Sequence, residues 1–178
     1  MSSLYSRDFI VTLIIVLIPL CLALNADSYG QRIMTLSGIY AIAAMGYHLI
    51  FGRLGALSLA QGCFFGLGAY SAGLIGVHFE LSFLTCLLFA VIFTALVALI
   101  IALPVLRLES HYFALATLGI AQVALLIAIN CTEVTGGANG TYGIPQLDLF
   151  GMELSSSNHV LIFVWVILVI IVLSLIHI

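Results

Sequence analysis

Uninterrupted apolar runs of about 16–25 residues recur along this chain, long enough to cross roughly 30 Å of hydrocarbon as helices. No other feature limits the fold as tightly. Hydrocarbon offers no partner to a backbone N–H or C=O, so each run must pair its own peptide groups or join a closed barrel. A membrane β-barrel shows stretches of about ten residues with alternating polarity, and this sequence has none. The expected fold is all-α, a polytopic membrane helical bundle. Composition agrees: the chain is 64% hydrophobic and 6% charged, whereas soluble domains carry about a quarter charged residues.

The expected spans are about Phe9–Leu24, with Pro19 as a kink, then Ile33–Phe51, then a glycine-rich segment from Gly55 to Val77. Next come Leu81–Leu106, with Pro104 near its end, Tyr112–Ile129, and a last run from Val160 onward. That makes about six membrane segments. The first run follows Arg7, as a signal peptide would, but it is long for a signal core and lacks a small-x-small site after it. A retained helix is expected. With the N-terminus cytoplasmic, Arg7, Arg53 and Arg107 lie inside and only Arg32 outside, the better of the two orientations by the positive-inside rule. The long loop at residues 130–158 then faces outward.

Several function classes are excluded. There are four arginines, no lysine and seven acidic residues, so no basic footprint exists for nucleic acid. Cys21, Cys63, Cys86 and Cys131 are scattered, without a C-x-x-C pair, and read as buried small residues rather than metal ligands. In this topology Cys21 and Cys131 both fall near the outer face, but nothing else in the sequence pairs them. There is no nucleophile–base pair, H-E-x-x-H, P-loop or dinucleotide fingerprint. No catalytic residue, cofactor or metal is expected. The acids fall in loops or at ends, and ion-coupled transport generally needs a buried one. Any energy source is expected outside this chain.

Polar and small residues at depth are the candidates for function. Gly62, Gly66, Ala69, Gly73 and Gly76 recur at spacings of four and three, a stripe that lets another helix approach closely. The stripe serves packing, or it also lets helices shift against each other; the spacing does not separate the two. Ser58 and Gln61 precede it, and Thr117 and Gln122 sit in the fifth segment, with Gly119 between them. Each must bond a neighbouring helix or face a water-filled path. His48, near the inner end of the second span, reads as hydrogen-bonded to a neighbour rather than as a proton relay. The outer loop holds Thr135, Gly136, Gly137, Asn139, Gly140, Gly143 and Pro145. Its four glycines suit either a flexible loop or a tightly folded one.

Three segments together carry a resemblance. Residues 52–70, GRLGALSLAQGCFFGLGAY, resemble the G-x-x-G-x-x-S-L-G-H-A-A-F-F-G-x-G-A-Y stretch of branched-chain amino acid ABC transporter permeases, particularly the M-type (LivM-like) subunit. Arg107-Leu108 with Tyr112–Leu118 match that family's R-L-x-G-x-Y-F-A-x-x-T-L run. Thr135-Gly136-Gly137, Gly140 and Gly143-Ile144-Pro145 match its T-G-G-x-x-G-x-x-G-I-P loop. Ala60-Gln61 stands where the family often has Gly-His, Ser110 replaces a usual Gly, and Gln122 occupies a position often filled by Glu or Gln.

The resemblance implies a type II-like ABC importer permease in the bacterial inner membrane, moving branched-chain amino acids or, alternatively, urea or short amides. The partners it implies are a second, H-type permease subunit, two cytoplasmic ATPase subunits and a periplasmic solute-binding protein. The resemblance also implies that residues 1–178 are the N-terminal part of the permease domain, the C-terminal coupling half being absent. Residues 173–178 read like a translated sequencing adapter and are expected to be a non-native tail. The rival readings are an intramembrane enzyme and a purely structural membrane subunit.

Expressed alone, the chain is expected in the membrane fraction, released by detergent and not by high salt or carbonate. Tags at residues 136–145 are expected to be modified only from outside. A soluble monomer, or labelling of those residues from the cytosol, would overturn the assignment.

Overall fold

The computed structural model describes residues 26–144, 148–149, 152–153 and 157–177. The expected first span, Cys21 and Pro145 lie outside them. Among the described residues, five helices are long and apolar enough to cross a membrane. They are α1 (Ser28–Leu54), α2 (Gln61–Phe79), α3 (Phe83–Val105), α4 (Ser110–Asn130) and, after the single-turn α5 (Thr132–Thr135), α6 (Ser157–His177). A 3-10 turn covers Gly137–Asn139, and two-residue strands β1 (Asp148–Leu149) and β2 (Met152–Glu153) pair antiparallel. Apart from that short ladder the described fold is all-α, that of a multi-pass membrane protein.

Two boundaries differ from expectation. The second span was placed from Ile33, but α1 begins at Ser28, inside the polar segment preceding it. Gln31 supplies the reason. Its backbone N–H donates to the Asp27 carbonyl at 2.9 Å, and its side-chain Nε2 donates to the Ala26 carbonyl at 3.1 Å. Polar residues here bond the carbonyls just before the first turn rather than interrupt the helix. The glycine-rich segment is also not helical throughout. Gly55 adopts φ +62°, a conformation glycine reaches without steric cost, and its N–H closes onto the Phe51 carbonyl at 3.1 Å. The chain then runs irregularly until α2 starts at Gln61, so Ser58 lies in a break and not on a helix.

The chain divides into two compact units, residues 1–45 with 154–178, and residues 46–153. In the first, Leu161, Trp165, Leu168 and Val172 follow one another at spacings of four and three and so share a face of α6. They pack against Met34, Ala41, Ile42 and Met45 of α1. Gly38 lies at the closest point. A Cβ there would stand 2.9 Å from Val164 Cγ1 and 3.5 Å from Trp165 Nε1, so the missing side chain is what admits the partner helix.

In the second unit α2 pairs most extensively with α3 and more lightly with α4. A Cβ at Gly68 would meet Thr94 Oγ1 of α3 at 3.5 Å, an ordinary contact. At the end of α2 the chain reverses through Glu80 at φ 48°, whose N–H donates to the Gly76 carbonyl at 3.2 Å. Pro104 sits in the last turn of α3, where its missing N–H leaves the Ile100 carbonyl without its helical donor. Leu88, Val91, Ile92, Leu99, Ile100 and Leu103 of α3 are all exposed. An apolar surface of this extent is untenable in water and is what acyl chains solvate.

Replacing Gly38 with Leu is expected to lower the stability of the α1–α6 pair by about 1–3 kcal/mol through overpacking. A thermal melt in detergent reads this directly. An unchanged midpoint would show that the close approach at Val164 does not hold the pair.

Candidate functional site

A cavity of about 1060 Å³ opens within the second unit, walled by α2, α3, α4 and the loop after α5. Ligand cavities typically measure about 300–1,000 Å³, so this one is ample for a small solute. Leu67, Phe93, Val97 and Ile101 make much of its wall, and Tyr70, Ser71, Gln122 and Thr135 bring the polar groups. Among the described residues no charged one lines it. Such a chamber can desolvate an aliphatic body while a few hydroxyl and amide groups orient the polar end.

The structure separates the four polar candidates. Thr117 is 4% exposed. Its hydroxyl donates to the Ala114 carbonyl at 2.9 Å and accepts the Leu59 N–H at 3.0 Å. It therefore clasps the break before α2 onto α4, and it does not line the cavity. Ser58, buried in that same break, is likewise absent from the lining. Gln61 opens α2, and its Nε2 stands 3.1 Å from where a Cβ at Gly46 would be. Only Gln122 of the four lines the cavity, from an exposed position on α4.

The small-residue stripe on α2 also divides. Gly73 and Gly76 are buried, and a Cβ at Gly73 would meet Ile144 of the following loop at 3.4 Å. At Gly62 and Gly66 a Cβ would meet nothing within 4 Å, and both residues line the cavity. Ala69 is exposed. Within this chain, then, the stripe's first half borders open space and not a packed helix. Gly119 of α4 lines the same space with nothing within 4 Å of its would-be Cβ.

The glycine-rich loop is tightly folded between Thr135 and Thr141. Helix α4 gives way at Cys131, and α5 adds one further turn. Gly136, Gly137, Gly140 and Gly143 all have φ between +62° and +77°. The strictest position is Gly136, where a Cβ would overlap the Gly140 carbonyl oxygen at 2.0 Å. At Gly137 it would stand 2.7 Å from Thr132 Cγ2 and 3.0 Å from the Ile129 carbonyl. Asn139 is exposed, while Gly137 is buried and lines the cavity with Thr135. Of the two sequence readings, the folded one describes this stretch.

The sequence reading missed Cys63, Tyr70 and Ser71, which share the cavity wall with Gly66 and Leu67. The signal was available: positions 63, 66, 67, 70 and 74 recur at helical spacing on one face of α2. It was masked because the neighbouring glycine stripe dominates the pattern.

Residues 29–177 match a family of the branched-chain amino acid transport system, described as its permease component. The high-affinity branched-chain amino acid transport system permease protein LivM of Salmonella typhimurium is 34% identical over 157 residues, covering 88% of this chain and 36% of that protein. LivM of Escherichia coli is 40% identical over 123 residues, covering 69% of this chain and 29% of that protein. The chain thus spans roughly a third of the length of the curated relatives it matches. No solved structure matches it.

The two classes of glycine should respond oppositely to a methyl group. Gly136→Ala is expected to destabilise by at least ~2 kcal/mol, from the left-handed backbone and the overlap with Gly140. Gly66→Ala is expected to be neutral or stabilising by up to ~1 kcal/mol, because the helix gains propensity and nothing is struck. Thermal unfolding of both variants in one detergent decides; equal losses would contradict the assigned contacts.

Proposed function

The chain belongs to the permease-component family of branched-chain amino acid transport systems, and on that premise we propose that it forms part of the solute path of an ABC importer for branched-chain amino acids. The observation that carries the reading is the cavity between α2, α3 and α4: large enough for a solute, apolar along most of its wall and without a charged residue among its described lining. Leucine, isoleucine and valine carry branched aliphatic side chains that such a wall desolvates favourably, by about 0.8 kcal/mol per buried CH₂. Urea and short amides gain little from it. The relatives' names point the same way.

The mechanism follows from what the cavity contains and from the partners this family implies. A zwitterion entering an apolar chamber loses hydration at its charged end; among the lining side chains Tyr70 and Gln122 offer polar groups, while the Ser71 and Thr135 hydroxyls already donate to backbone carbonyls. That arrangement suits transient, weak occupancy, which a conduit needs if the solute is to leave again. Alternating access requires two packings of the bundle whose balance a partner shifts by binding one more tightly. In this reading the drive comes from ATP hydrolysis in two cytoplasmic ATPase subunits, with an H-type permease subunit alongside. A periplasmic solute-binding protein delivers solute on the face carrying the Thr135–Gly143 loop. The membrane is the bacterial inner membrane, with the N-terminus cytoplasmic.

Cys63 lines the cavity and provides a native reporter. The test uses the complete permease, assembled with its partners in proteoliposomes, with every other cysteine replaced. Leucine is expected to slow methanethiosulfonate labelling of Cys63 several-fold while urea leaves it unchanged. Protection by urea and not by leucine would reassign the solute. No protection by either would remove the cavity from the path.

A further inference from the structure

Thr135 has a bonding pattern that neither the family resemblance nor loop composition explains. It is 8% exposed. Its hydroxyl oxygen lies 2.6 Å from the Ala128 carbonyl oxygen and 2.8 Å from that of Cys131, and it accepts the Gly137 N–H at 3.1 Å. The residue's own carbonyl accepts the Thr141 hydroxyl at 3.1 Å. A hydroxyl carries one proton, so it serves the Ala128 and Cys131 carbonyls in turn or shares between them. The Ala128 bond spans seven residues and therefore reaches past the break at Cys131 into the last turns of α4.

The geometry of the neighbours adds the functional link. Ala128, Thr135 and Gly137 all line the cavity. A Cβ at Gly137 would stand 2.7 Å from Thr132 Cγ2 and 3.0 Å from the Ile129 carbonyl, so the loop approaches the end of α4 closely beside the bonds of the Thr135 hydroxyl. We propose that Thr135 is a positioning residue of the solute cavity: its hydroxyl ties the glycine loop to the end of α4 and thereby fixes the wall against which the solute is held. This rests on the solute-path reading above, and it assigns to one side chain what that reading leaves to the chamber as a whole.

Thr135→Val keeps the shape and removes both the proton and the acceptor. It leaves the Ala128 carbonyl and the Gly137 N–H without this partner in a water-poor wall, and the loop should drift from its place. Thr135→Ser keeps the hydroxyl. The measurement is the leucine concentration that half-protects Cys63 from methanethiosulfonate, in the complete permease with its partners. It is expected to rise about tenfold in the Val variant and to return to within about twofold in the Ser variant. A role in stability alone would reduce the amount of folded permease and leave the half-protecting concentration where it was. That outcome, or an equal rise in the Ser variant, overturns the proposal.

Should the Val variant fail to insert, Thr141→Val loosens the same loop by its outer bond. It is expected to raise the half-protecting concentration about two- to threefold; no rise overturns the proposal equally. The wild-type protein separates the two levels of inference. If leucine does not protect Cys63 there, the solute path is wrong; if it does and the variants behave as wild type, only the role of Thr135 is wrong.

Discussion

A polar group inside a bilayer cannot fall back on water, and the arrangement of this molecule follows from that. Several hydroxyl and amide side chains within the spans turn onto their own helix: Thr35 to the Gln31 carbonyl, Ser37 to that of Ile33, Ser71 to that of Gly68, Asn130 to that of Leu126; the buried Thr94 hydroxyl of α3 makes no such bond. These local bonds neutralise the side chain without recruiting a neighbour. The demanding places are where a helix stops, since its last carbonyls and the next helix's first N–H groups lose their partners. Two threonines meet that demand. Thr117 takes the Leu59 N–H in the break before α2, and Thr135 serves the end of α4. The break before α2 and the loop after α4 are thus each tied to a helix by a threonine side chain.

Much of the fold could be read from residue order because lipid reduces the choice to helix or barrel. The four spans of residues 33–51, 81–106, 112–129 and 160 onward correspond to helices within a few residues. What failed was local. The segment Asn25–Arg32 looks like a break because it is polar, yet Gln31 uses that polarity to start a helix earlier. The segment from Gly55 looks like one helix because its apolar content is continuous, yet Gly55 and the Thr117 clasp open it. Composition cannot show either effect, since both depend on where a single donor finds its acceptor.

The site was legible to a lesser degree, for a related reason. Sequence reasoning selects polar residues at depth, and Thr117 qualifies as well as Gln122 does. Only geometry distinguishes a hydroxyl already satisfied by a backbone 58 residues away from an amide beside open space. The glycines show the same limit. Gly38, overlooked in the pattern, meets α6 at close range, whereas Gly62 and Gly66, prominent in it, border a cavity. Spacing identifies a smooth helix face; it does not say whether the face meets a neighbour or encloses space. Tyr70 and Ser71 were passed over because an aromatic and a serine on such a face are unremarkable until the chamber they border is seen.

The contrast between the chamber's glycines has an evolutionary consequence. Gly62, Gly66 and Gly119 look onto vacancy from two facing helices. Single-nucleotide changes from a glycine codon reach alanine, serine, cysteine and valine, so the bore can be narrowed in steps of one or a few atoms without moving any backbone. Gly136 and Gly137 have no such latitude, because an added carbon strikes the Gly140 carbonyl from the first and Thr132 from the second. Descendants of such a protein could therefore drift in the girth of the cargo they accept while the rim stays fixed: a pliable barrel behind a rigid collar.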